Sequence, residues 1–64
     1  MSNLIRLSEV TRRTGLSESE IYKQMGVGTF PRPVKMGRRV AWVEEEISGF
    51  IAARIAERDS QAAE

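Results

Sequence analysis

Ser8-Glu9-Val10-Thr11-Arg12-Arg13-Thr14-Gly15-Leu16-Ser17-Glu18-Ser19-Glu20-Ile21-Tyr22-Lys23-Gln24-Met25-Gly26 is the stretch on which the fold turns. Two helix-starting devices agree at its centre. Ser17 and Glu20 stand at capping-box spacing, and Leu16 and Ile21 occupy the positions of a hydrophobic staple. Ile21 and Met25 continue an i, i+4 apolar stripe and Gly26 is a natural stop, so the spacing predicts a helix over about residues 18–25. Before it, Ser8 offers an N-cap oxygen, Val10 and Thr14 share a face, and Gly15 is suited to a left-handed ending. That predicts a short helix over about residues 9–14, with only Gly15, Leu16 and Ser17 between the two. Spacing alone leaves two readings open. One is a helix-turn-helix, whose second helix is presented to the DNA major groove; the other is an ordinary helical hairpin in a small bundle.

Downstream, Val27 to Pro33 is barred from helix by Gly26 and Gly28 and by the two prolines, Pro31 and Pro33. Val34-Lys35-Met36 and Arg39-Val40-Ala41-Trp42 then read as two strands around Gly37-Arg38, a tight turn with glycine at its first central position. Ile47, Phe50, Ile51 and Ile55 form the buried stripe of a last helix over about residues 44–58, with Glu44, Glu45 and Glu46 in the first turn, where the helix dipole favours them. Upstream, Leu4-Ile5-Arg6-Leu7 is a strand or an extended lead-in, and four residues do not decide which. The expected fold is mainly α: a winged helix-turn-helix of three short helices with a two-stranded β-hairpin wing. Residues 1–58 form the domain and the polar 59–64 tail frays. Leu7, Val10, Leu16, Ile21, Met25, Phe30, Val40, Trp42, Ile47, Phe50, Ile51 and Ile55 are the expected core.

Composition narrows the function. The chain has 64 residues, which is room for one domain, and neither cysteine nor histidine. Disulfides, thiolate nucleophiles, cysteine-ligated zinc and the usual general base are therefore excluded. No acid, base or nucleophile set converges, so an enzyme is not expected, and no cofactor or metal is implied. Glu44-Glu45-Glu46 fans out around a helix and does not converge on an ion, and Gly26-Val27-Gly28 lacks the strand and helix of a phosphate loop. No apolar run is long enough for a bilayer, so a soluble, cytoplasmic, nucleoid-associated protein is expected. The net charge of +1 conceals a division: residues 1–43 carry eight Lys/Arg against three Glu, net +5, and residues 44–64 carry −4. A basic half facing an anion accounts for this, as does a salt-bridged globule.

On the second helix Ser19 and Lys23 fall opposite Ile21 and Met25, with Tyr22 and Glu20 on the flanks. Ser19, Tyr22 and Lys23 are the candidate base readers, since serine, tyrosine and lysine supply the donors and acceptors that base edges and phosphates accept. A solvated helix face is the plain alternative. Arg12 and Arg13 on the first helix and Arg32, Lys35 and Arg39 around the wing are candidate phosphate contacts. Arg38 at the wing tip is placed to enter a minor groove, or simply guards a strand edge. The partner is double-stranded DNA, with a homodimer or tandem assembly on it expected because one small domain reads few base pairs. A basic face meeting an acidic protein is the competing class.

Beyond these physical readings, the chain resembles the AlpA family of small phage and prophage transcriptional regulators, relatives of phage excisionases with a MerR-like winged helix-turn-helix fold. The resemblance rests on Leu4-Ile5-Arg6-Leu7, Thr14-Gly15-Leu16-Ser17, Ile21-Tyr22, Phe30-Pro31-Arg32-Pro33-Val34-Lys35, Gly37-Arg38 and Trp42, in order over about Leu4 to Ala56. It implies sequence-specific DNA binding through Ser19, Tyr22 and Lys23 with wing contacts from Arg38 and Arg39. It also implies a role in transcription control or in the direction of phage integration and excision, with contact to an integrase or to the transcription machinery. Glu18 and Glu20 depart from the family, whose members commonly carry a basic or small polar residue there. These two carboxylates either repel phosphates or accept from cytosine N4.

Overall fold

A computed structural model describes residues 3–62 of the chain, in the order β1 (Leu4–Ile5), α1 (Leu7–Thr14), α2 (Glu18–Gly26), β2 (Val34–Met36), β3 (Arg39–Val43) and α3 (Glu44–Ala62). The turn between α1 and α2 is built as its residues suggest. Gly15 takes a left-handed φ of 75° and its N–H donates to Thr11 O at 2.8 Å. Thr14 Oγ1 reinforces the bend, donating to Val10 O at 2.8 Å and accepting from Leu16 N at 3.2 Å. Ser17 caps α2, its Oγ accepting from Glu20 N at 3.2 Å. The return half of the capping box is replaced: the Glu20 carboxylate accepts from Gln24 Nε2 at 3.1 Å, one turn further on.

Two caps differ from the expectation. α1 starts before Ser8, because the carbonyl of extended Arg6 accepts from both Glu9 N and Val10 N at 3.0 Å, with no side-chain cap. Ser8 lies inside the first turn, and its carbonyl accepts from Thr11 Oγ1 at 2.7 Å. At the other end of α2, Gly26 is still helical and Val27 is the C-cap. The left-handed glycine comes two residues later than expected, at Gly28, whose N–H donates to Met25 O at 3.1 Å.

The wing strands pair antiparallel with Val34 opposite Ala41 and Met36 opposite Arg39, across the Gly37-Arg38 turn. Leu4-Ile5 is a strand, and it pairs antiparallel with the other edge of β3, Leu4 opposite Val43 and Ile5 opposite Trp42. The sheet is therefore three-stranded, in the order β1-β3-β2, and not a two-stranded hairpin. Asn3 closes it against α3: Glu44 N donates to Asn3 O at 2.7 Å. With three helices around this sheet the domain is of mixed α and β type, a correction to the mainly α expectation.

α3 is the second correction, being 19 residues long and not short. It passes the expected end at Arg58 and carries Asp59, Ser60 and Gln61, read as part of a frayed tail, in helical conformation. No glycine or proline follows Gly49, so nothing stops propagation once the first turns are packed. Residues 52–61 are all exposed. Ile55, expected in the core, is 46% exposed for that reason: the helix has run past the sheet it packs on.

The core is drawn from every layer. Val10, Ile21, Trp42 and Ile47 are fully buried, joined by Phe30, and Leu7, Leu16, Met25, Val40, Phe50 and Ile51 pack around them. Ile5 and the buried Ala41 join this set without having been expected, both because β3 is the central strand. Phe30 and Phe50 meet with ring centroids 4.7 Å apart at 58°, which attaches the loop after α2 to α3.

Candidate nucleic-acid interface

The burial of α2 defines its free face. Ile21 is buried and Glu20, Gln24 and Met25 are half-buried, whereas Ser19, Tyr22, Lys23 and Gly26 are exposed. The exposed four recur at i, i+3, i+4 and i+7, so they form one continuous stripe. Tyr22 is 48% exposed, with its ring on the surface. Ser19 Oγ lies 3.3 Å from Ser17 Oγ, which ties its hydroxyl to the N-cap at the entrance of the helix. Glu20 is turned away from the stripe by its bond to Gln24, whereas Glu18 is exposed in the first turn.

Carboxylates divide the cations after Arg6, which is exposed and in no ion pair among the described residues, into two groups. Arg12 and Arg13 both bind Glu9, Arg13 Nε at 2.7 Å, and Arg13 Nη1 reaches Glu44 at 2.9 Å. The hydrogen bonds from Arg12 and Arg13, in that order, hold the Glu9 carboxyl at a pKa of about 2, and Glu44 is also lowered, by Asn3 and then Arg13. On α3, Arg54 pairs with Glu57 at 3.7 Å and Arg58 with Asp59 at 2.8 Å. By contrast Lys23, Arg32, Lys35, Arg38 and Arg39 form no ion pair among the described residues. The sequence between Ile21 and Val43 contains these five cations and no aspartate or glutamate. All five are exposed, on α2, on the loop before β2 and on the β2–β3 hairpin.

The nine candidate residues are therefore not equivalent. Arg12 and Arg13 serve first as clamps on Glu9 and, through Arg13, on the start of α3. The clamp was open to sequence reading, because Glu9 lies at i−3 and i−4 from the two arginines. The Arg13–Glu44 contact spans 31 positions and no local pattern announces it.

Comparison with known proteins agrees with this layout in extent. The family described as prophage CP4-57 regulatory protein (AlpA) matches residues 3–55, which include both strand edges, α1, α2 and the hairpin. A relative from Enterobacteria phage P4, described as uncharacterized protein ORF88, is 42% identical over 55 residues. That alignment takes in 84% of the chain and 62% of the relative's length. No solved structure matches the chain. Among the described residues no helix is long and apolar enough to cross a membrane. The chain belongs to the AlpA family of prophage regulatory proteins.

Proposed function

We propose that the chain is a non-enzymatic regulator that binds specific sequences of double-stranded DNA, setting the exposed stripe of α2 in a major groove and the β2–β3 hairpin in the adjoining minor groove, as a winged helix-turn-helix does. One observation carries the reading: the cations from Lys23 to Arg39 are exposed and have no carboxylate partner among the described residues, whereas those of α1 and α3 are paired. A salt-bridged globule would neutralise both groups alike. In this reading Ser19, Tyr22 and Lys23 contact base edges, Arg38 and Arg39 act from the hairpin, and Arg32 and Lys35 hold phosphates. Arg13, bound to both Glu9 and Glu44, is the less available of the α1 pair, whereas Arg12 is largely exposed and keeps N–H donors for phosphate beside its bond to Glu9.

Titration of duplex DNA with the protein at increasing salt tests this. With about six phosphates neutralised, log K falls against log[salt] with a slope of roughly −5. A flat titration removes the proposal.

A further inference from the structure

A groove of about 360 Å³ lies between the end of α1, α2 and α3. Leu16, Phe50 and Ile55 contribute its apolar surface and Arg13, Arg54 and Arg58 its charge, with no aspartate or glutamate among its described lining residues. We propose that this groove seats an acidic amphipathic helix of a second protein, its apolar residues on Phe50 and Ile55 and its carboxylates on the guanidinium groups of Arg54 and Arg58, with Arg13 held at the rim by Glu9 and Glu44.

The surface has the attributes such a ligand needs. Its volume suits large apolar side chains entering a cleft. Ile55 is 46% exposed, so an apolar anchor is offered to solvent with none of the described residues covering it. Arg54 is held in place by stacking, its guanidinium carbon 5.2 Å from the centroid of the Phe50 ring, which is itself braced by Phe30. Arg54 and Arg58 are one turn apart, ~6 Å along the axis, and match carboxylates at i, i+4 on a facing helix. Their present partners, Glu57 and Asp59, are exposed neighbours on the same helix, and pairs of that kind give little resistance to exchange. Gln24 also lines the groove, and its Oε1 is buried without a hydrogen-bond partner, an acceptor that an incoming donor would satisfy.

Charge selects the occupant. A basic segment would meet like charges at Arg54 and Arg58, whereas an acidic helix offers carboxylates in place of their exposed neighbours Glu57 and Asp59. The groove is also separate from the stripe proposed to meet DNA: on α2, Gln24 lies well over 90° around the axis from the middle of the Ser19–Tyr22–Lys23 stripe at 100° per residue. The partner and a duplex therefore fit the same molecule at once, which would let a bound regulator recruit a second protein to its site.

Fluorescence anisotropy of labelled helical peptides, titrated with the full chain, tests the proposal. The peptides share one leucine stripe, and the flanking positions are all glutamate, all glutamine or all lysine. The glutamate peptide should bind about tenfold tighter than the glutamine peptide, with the preference shrinking as salt rises, and the lysine peptide should bind weakest. Arg54→Glu/Arg58→Glu should invert the order in favour of the lysine peptide, a gain that misfolding cannot produce, and Ile55→Asp should abolish binding of all three. Equal affinities for the three peptides, or no inversion, would overturn the proposal. So would self-association of the wild type that Arg54→Glu/Arg58→Glu abolishes, since the groove would then be filled by a second copy. A duplex added to the peptide complex should leave the anisotropy of the peptide high. If the double variant loses duplex affinity in step with the peptide, the arginines belong to the DNA surface and the groove proposal fails while DNA binding stands. Peptide binding with a flat salt titration on duplex DNA would show the reverse.

Discussion

Trp42 Nε1 donates to the carbonyl of Pro31 at 3.0 Å, so the fully buried centre of β3 holds the loop that leads into the hairpin. The ring fills the core between Val10, Ile21, Phe30 and Ile47, and the indole N–H finds the one kind of partner a proline-bounded loop can offer, a carbonyl. The two prolines fix the approach of the chain and the tryptophan fixes its position.

Trp42→Phe should keep the fold and lose the bond, at a cost of ~1–3 kcal/mol for the smaller ring and the unpaired Pro31 carbonyl. Trp42→Ala should cost ~3–5 kcal/mol, comparable with the whole stability of a domain this size. Urea unfolding followed by circular dichroism measures both, since Trp42 is the only tryptophan. A cooperative transition of the alanine variant at the wild-type midpoint would show that Trp42 is not the core.

Stability should fall in acid through Glu9. Its folded pKa of about 2 lies below its ordinary value of 4.5, so the carboxylate's contribution is complete above 4.5 and is lost as pH descends toward 2. Glu9→Gln should be less stable than wild type at neutral pH and should show a shallower acid limb, the two curves meeting near pH ~2. Urea midpoints across that range decide the matter: coincident curves would mean the Arg12 and Arg13 clamp contributes nothing.

Two glycines should respond oppositely to alanine. Gly37 has a φ of 67°, a conformation that costs an L-residue ~1–2 kcal/mol, so Gly37→Ala should lower the melting temperature although no atom obstructs its Cβ. Gly49 is in α3 with open space around it, and Gly49→Ala should raise stability by roughly 0.5–1 kcal/mol. Thermal melts of the pair give the sign directly.

Base reading and phosphate holding should separate between Lys23 and Arg38. Lys23→Ala should lose ~1–3 kcal/mol of discrimination at particular base pairs, whereas Arg38→Ala should weaken all duplexes by a similar factor. Affinities for specific and random oligonucleotides distinguish them. Equal losses on both duplexes for Lys23→Ala would end its assignment as a reader.

What the sequence determined by itself was local. The Ser17 cap, the Gly15 stop, the Gly37-Arg38 turn and the stripe that buries Ile21 act over a few residues, and steric and hydrogen-bonding rules at that range do not depend on the rest of the chain. The exposed positions of Ser19, Tyr22 and Lys23 followed from the same periodicity. Only the tertiary structure decided that Leu4-Ile5 is a strand, because so short a segment becomes one when β3 offers an unpaired edge some forty positions away. It decided also which cations are available. Arg13 is bound by Glu44 and Ile55 is left in solvent because of where α3 begins and how far it runs, and long-range pairing of that kind depends on packing geometry rather than on residue spacing.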